Sequence, residues 1–91
     1  MKAQYLPTFL KDLKRLKGSR EYEKIRRITL EDVLGWDELS GRSQVKKLSA
    51  SDNAYRLRIG DYRIGFFWDG STITFARVLH RREIYRFFPP E

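Results

Sequence analysis

Three features of the sequence predict an α+β domain. Apolar and charged residues alternate through the second half, apolar residues recur at helical spacing through the first third, and glycine-centred turns divide the alternating runs. The expected architecture is an N-terminal strand and a two-helix hairpin packed on a small antiparallel sheet. The chain of 91 residues reads as a single domain, 1–91, since independent cores usually need about 50 to 200 residues.

Met1 to Leu6 reads as a short first strand with Tyr5 and Leu6 as packing residues. Pro7 suits a first helical position, and Thr8 is a nearby cap candidate. Phe9, Leu10, Leu13 and Leu16 then lie at helical spacing, with Lys11, Lys14, Arg15 and Lys17 on the outer face. Gly18-Ser19 ends this helix. Tyr22, Ile25, Thr29, Val33 and Trp36 recur every three to four residues and predict a second helix to about Leu34. Asp37 to Ser43 is a polar loop, Val45 to Leu48 a short strand, and Ser49 to Asn53 a turn.

The stretch Tyr55 to Tyr85, YRLRIGDYRIGFFWDGSTITFARVLHRREIY, organises the rest as a three-stranded meander. A two-residue turn at Gly60-Asp61 sets Ile59 opposite Tyr62, Arg58 opposite Arg63, and Arg56 opposite Gly65. A second at Asp69-Gly70 sets Gly65 opposite Thr74, Arg63 opposite Ala76, and Ile64 opposite Phe75. One face then carries Leu57, Ile59, Tyr62, Ile64, Phe66, Ile73 and Phe75. The other carries Arg56, Arg58 and Arg63 over a floor of Gly65, Thr74 and Ala76, with Val78 and His80 continuing it. Guanidiniums over small residues repel one another without an anion and leave room for a ligand. This register puts Arg77 beside Tyr62 on the apolar face, a strain that a bulge at Gly70 would relieve.

Net charge is +7 and cysteine is absent, so disulfide frameworks and thiolate chemistry are excluded. The charge suggests a polyanionic partner, with a merely solubilising basic surface as the alternative. Lys47 is the last lysine; every later cation is an arginine, whose planar fork suits phosphate. One histidine and scattered acids offer no metal-ligand cluster. No cofactor motif is present, and no run approaches a membrane span, consistent with a cytoplasmic protein.

FLKDLKRL near the start, YRLRIGDYRIGFF in the middle and VLHRREIYRFF at the end, in this order, resemble the RelE/ParE toxin superfamily over nearly the whole chain. The resemblance implies a microbial-ribonuclease-like fold and a toxin of a type II toxin–antitoxin pair. RelE-like members are ribosome-dependent mRNA endonucleases; ParE-like members inhibit DNA gyrase without nuclease chemistry. The RelE branch implies metal-independent attack of a 2′-hydroxyl on the adjacent phosphate. It further implies a cognate antitoxin in a hetero-oligomer, and mRNA on the ribosome as substrate. The antitoxin would act by blocking RNA entry or by displacing the segment His80 to Phe88.

Carried over by position, the family's basic strand residues fall on Arg56 and Arg58, its turn-proximal arginine on Arg63, its last-strand arginine on Arg81 and its C-terminal tyrosine on Tyr85. Some members have lysines at the first two positions. Arginine is a poor general base, so Arg56 and Arg58 are expected to clamp phosphate. Proton transfer then moves to His80, the side chain that titrates near neutrality unshifted, with a strand-end histidine as the alternative. Tyr85 is expected to stack on a base or act as acid, or else to pack, and its spacing from Arg81 is two residues shorter than in some members. Lys46, Lys47 and Arg82 extend the expected RNA-binding surface with Arg56 and Arg58. Phe87 is expected in the core, and Trp36 and Trp68 are expected to pack.

Overall fold

The computed structural model describes residues 1–48 and 53–89. The elements run β1 (Lys2–Tyr5), α1 (Pro7–Arg15), α2 (Tyr22–Leu30), a 3-10 turn (Asp32–Gly35), β2 (Val45–Lys47), β3 (Ala54–Ile59), β4 (Tyr62–Trp68), β5 (Thr72–His80) and α3 (Ile84–Phe87). They form a five-stranded sheet of order β1-β5-β4-β3-β2. The meander is antiparallel, but β1 pairs parallel with β5, so the sheet is mixed. The predicted second helix is shorter than its periodicity suggested: it stops at Leu30, and the 3-10 turn carries the apolar pattern on to Val33 and Trp36. The expected turn over Ser49 to Asn53 lies, apart from Asn53, outside the described residues. No helix among the described residues is long and apolar enough to cross a membrane.

The amphipathic stripe of α1 buries Phe9 and Leu13 against the sheet, where the Phe9, Tyr5 and Phe75 rings meet at centroid separations of 5.3 to 5.9 Å. Thr8 does not cap this helix; its hydroxyl donates to the Ala76 carbonyl instead. From α2, Ile25 and Thr29 complete the helix-side core, and the Tyr5 hydroxyl donates to the Thr29 carbonyl. Removing these apolar groups from water supplies the main driving force, about 1.5–3 kcal/mol for each fully buried large side chain.

Register decides what each sheet face carries. Between β3 and β4 the predicted pairs hold: Ile59 faces Tyr62, Arg58 faces Arg63, and Arg56 faces Gly65. Gly60, at φ +57°, supplies the left-handed conformation that this tight turn needs. Between β4 and β5 the predicted pairs fail. Trp68 faces Ile73 across a wider loop, in which the Asp69 carboxylate accepts hydrogen bonds from the Ser71 and Thr72 amides at 2.9 and 2.7 Å. The expected bulge occurs at Ala76, not at Gly70: Phe66 faces Phe75 while Gly65 faces Arg77.

The bulge reverses the phase of the rest of β5. Val78 becomes fully buried in the helix-side core, and His80 pairs with Tyr62. Both therefore leave the face that the sequence pattern assigned them. Arg77 is also relieved of its predicted place beside Tyr62. It reaches Asp12 of α1 in a bidentate ion pair, Nε to Oδ2 at 2.7 Å and Nη2 to Oδ1 at 3.1 Å. Asp12, 3% exposed, also accepts the Val78 amide, so one buried carboxylate seals the edge of β5 that β1 leaves uncovered.

Candidate functional site

The second sheet face is not an open floor. Helix α3 lies over it, and Ile84 and Phe88 pack with Ala54 and Ala76 in a second, smaller core joined by Phe67 and Leu79. Gly65 is the contact point: a Cβ there would stand 2.5 Å from the Phe88 ring. Gly65 and Ala76, predicted to make room for a ligand, make room for the chain's own C-terminal segment. Phe88 is the core residue here, whereas Phe87, expected to be buried, is half exposed under the Arg77 guanidinium at 5.1 Å.

The arginines line the margin of this cover, where the β3–β4 turn meets the end of β5. Arg63 folds back so that Nη1 donates to the Gly60 and Tyr62 carbonyls at 2.8 and 3.1 Å. Its guanidinium is the hub of the cluster. Partial burial and then the like charge of Arg56 push its pKa down; Arg58 and Arg81 add to this, and Tyr85 opposes it. Three further cations and a phenol thus sit within electrostatic reach of Arg63. Arg56 donates to the Gln44 carbonyl, which aims it along the strand. Arg81 is anchored through its backbone amide to the Asp61 carbonyl at 2.7 Å, and its Nε lies 3.8 Å from the Asp61 carboxylate. Tyr85, carried by α3, is 57% exposed, a ring open to a partner and not a packing residue.

The other predicted residues separate. Lys46 pairs with Arg56 and extends the arginine face, while Lys47 pairs with Tyr55 and belongs to the opposite one. Arg82 is exposed, and its amide donates to His80 Nδ1 at 3.2 Å. His80 meets Tyr62 edge-on and lines a recess of about 270 Å3 with Asp12, Arg15 and Glu83, on the helix side of the sheet. Asp61, which sequence reasoning passed over as a turn residue, brings a carboxylate to Arg81. Its place in a two-residue turn opposite the strand end was the available signal. Among the described residues, no three histidine, aspartate or glutamate side chains converge as metal ligands.

Residues 3–85 match the family model described as the ParE toxin of type II toxin–antitoxin systems. Toxin RelE3 of Methanocaldococcus jannaschii is 40% identical across 98% of this chain and all of its own length. The chain belongs to the ParE toxin family. Within the RelE/ParE superfamily it is RelE-like, and its fold agrees with solved members. A chain of the RelB–RelE antitoxin–toxin complex from Methanococcus jannaschii superposes with a TM-score of 0.75 at 38% identity, covering 94% of this chain and 99% of that one. A chain of the archaeal RelE–RelB complex from Pyrococcus horikoshii OT3 has a TM-score of 0.64 at 23% identity over 91% of this chain and 97% of that one, a likeness of fold.

Proposed function

We propose that this toxin-family chain is a ribosome-dependent mRNA endonuclease, held in check by a cognate antitoxin. The observation that carries the reading is the convergence of Arg56, Arg58, Arg63 and Arg81 with Tyr85 at one margin of the sheet. Cleavage by 2′-hydroxyl attack passes through a phosphorane bearing extra negative charge. Preorganised cations stabilise that charge more than the ground state, which is the condition for catalysis. The Arg56 and Arg63 guanidiniums, on neighbouring strands and held by backbone carbonyls, and that of Arg81 beside the Asp61 carboxylate need little reorganisation when it develops.

Arg56 and Arg58 take the phosphate, Arg63 fixes the turn side, and Arg81 meets the scissile oxygen. Lys46 and Arg82 steer the backbone. Tyr85 stacks on a flanking base or gives its proton to the leaving 5′ oxygen. The helix-side placement of His80 weakens its candidacy for proton transfer, because the base must reach the 2′-hydroxyl directly or through one water; the 2′ proton passes instead to solvent water at the exposed margin as the P–O2′ bond forms and the P–O5′ bond breaks. An antitoxin partner is supported by the RelB–RelE complexes among the relatives. A second reading has one observation in its favour: the matching family model is the ParE one. On that reading the same surface binds DNA gyrase without cleavage.

The deciding experiment is primer extension on a translated mRNA with purified ribosomes. Discrete cuts at A-site codons, lost in Arg81→Ala and kept in His80→Ala, are the expected outcome. Intact mRNA accompanied by gyrase-dependent DNA damage would replace this reading with the ParE one.

A further inference from the structure

His80, which the proposed chemistry leaves with no proton to move, closes the link between β5 and α3. Each backbone amide of that link has an acceptor. The Arg81 amide donates to the Asp61 carbonyl at 2.7 Å, and the Glu83 amide to the His80 carbonyl at 2.8 Å. Between them, the Arg82 amide donates to His80 Nδ1 at 3.2 Å. His80 thus holds the link twice, through its backbone and through its ring. The ring is held in turn by Tyr62, its register partner on β4, which it meets edge-on at a centroid separation of 5.8 Å. The link carries Arg81 itself and leads directly into the first turn of α3, where Tyr85 sits; the Arg86 amide donates back to the Glu83 carbonyl at 3.0 Å. A neutral imidazole has one donor nitrogen and one acceptor nitrogen. With Nδ1 accepting from Arg82, the proton sits on Nε2, and the ring has no lone pair left to take a 2′ proton.

We infer that His80 is a positioning residue for the proposed cleavage: its neutral ring fixes the turn from Arg81 to Glu83, and that turn sets Arg81 and Tyr85 about the phosphate. The inference rests on the endonuclease reading above. It follows that a charge on the ring undoes the arrangement. An imidazolium carries N–H at both nitrogens, so Nδ1–H would confront the Arg82 N–H, and the ring would have to leave the turn. The charged and titratable groups around it are Asp12 and Arg15 from α1, Tyr62 from β4, and Arg82 and Glu83 from the turn itself. Asp12 is already committed to Arg77 and to the Val78 amide. That leaves Glu83, which lines the same recess, to attract an imidazolium swung out of the turn, with Arg15 and Arg82 opposing it. Both consequences loosen the link, and both act on Arg81 and Tyr85 without His80 touching RNA.

The test measures single-turnover cleavage of a ribosome-bound mRNA between about pH 5.5 and 8, the range over which histidines commonly change charge. It compares the unmodified chain with His80→Asn and His80→Ala, each checked by a thermal melt. An asparagine side-chain carbonyl accepts the amide two residues on and does not titrate, so His80→Asn should keep the fast rate and serve as the reference at each pH. Relative to it, the unmodified chain should match at the alkaline end and slow by roughly three- to tenfold at the acidic end, the worth of one net hydrogen bond. His80→Ala should cut at the same codons but stay slower than His80→Asn by that factor throughout. Asparagine cannot exchange a proton with RNA, so a His80→Asn variant as slow as His80→Ala overturns the positioning role. A level ratio between the unmodified chain and His80→Asn overturns it too. NMR of the free, unmodified chain should show the Arg82 amide shifting as the His80 ring titrates; an indifferent Arg82 amide overturns the role even if a variant fails to fold. Absence of cuts by the unmodified chain at every pH overturns the endonuclease reading and this role together, whereas the other failures leave that reading standing.

Discussion

The seat of Phe88 on Gly65 yields the sharpest stability prediction. A Cβ at position 65 would lie 2.5 Å from Cγ and Cδ2 of that ring and 2.9 Å from Cε2. Carbon atoms rest at about 3.5–4.0 Å, so the ring would have to retreat by about 1 Å. It has little room to do so, being 1% exposed and packed 5.1 Å from the Phe67 ring centroid. Overpacking of this kind costs about 1–3 kcal/mol. With about 2 kcal/mol as the central value, Gly65→Ala lowers Tm by roughly 8–16 °C in a domain of this size. Phe88→Ala alone should cost about 3 kcal/mol, the low end for a buried phenylalanine, because a terminal segment relaxes easily. The double variant separates contact from background. With Phe88 truncated, the new methyl enters vacated space, and an alanine in a strand is about 0.5–1 kcal/mol better than glycine. Gly65→Ala should therefore be neutral or stabilising in the Phe88→Ala background, giving a coupling of about 2 kcal/mol by urea denaturation. An equal cost of Gly65→Ala in both backgrounds would refute the packing argument.

Three further outcomes are expected. Asp12→Leu strands the Arg77 guanidinium and the Val78 amide and should cost about 2–4 kcal/mol in urea denaturation, below the full cost of breaking a buried pair because Arg77 retains some solvent access; wild-type stability in this variant would show the pair to be dispensable. Hydrogen bonds from the Thr72 and Ser71 amides hold the Asp69 carboxyl below its ordinary value of 3.8. A depressed folded-state pKa contributes stability that is present above the unfolded value and lost as pH falls through the folded one, so Asp69→Ala should flatten the acid limb of the stability curve below about pH 4 and leave its neutral part parallel to wild type. If Arg56 contacts phosphate, Arg56→Ala should reduce the slope of log K against log salt for single-stranded RNA by about 0.7, whereas an unchanged slope would place Arg56 outside the RNA path.

Legibility in the sequence followed the range of the determinant. The β3–β4 register was readable because two adjacent residues, Gly60 and Asp61, fix it. The β4–β5 register was not, because a wide loop held by the Asp69 carboxylate replaces the two-residue turn and an extra residue enters at Ala76, well beyond the turn. Arg77 on an apolar face was a true warning, and its answer was also in the chain. Asp12 stands in the apolar stripe of α1 between Phe9 and Leu13, where a carboxylate needs a partner. The parallel pairing of β1 with β5 leaves no local pattern, and a helix as short as α3 leaves none either. The arginines Arg56, Arg58 and Arg63 were legible from alternation and Arg81 from the resemblance. The closing of their floor by Phe88, and the turning of His80 to the other face, depended on those nonlocal contacts.

The parallel pairing of β1 with β5 also bears on the order of assembly during synthesis. The strand partners of Lys2 to Tyr5 are Thr72 to Phe75. A nascent chain that ends before those residues leave the ribosome has α1 but no strand to anchor it. The cover of the arginine face comes later still, with Ile84 and Phe88. Pairings this distant in sequence form slowly and late. The arginine margin and its tyrosine therefore wait on the segment from Arg81 to Phe88, and a nascent chain that has not yet released those residues carries an unfinished site.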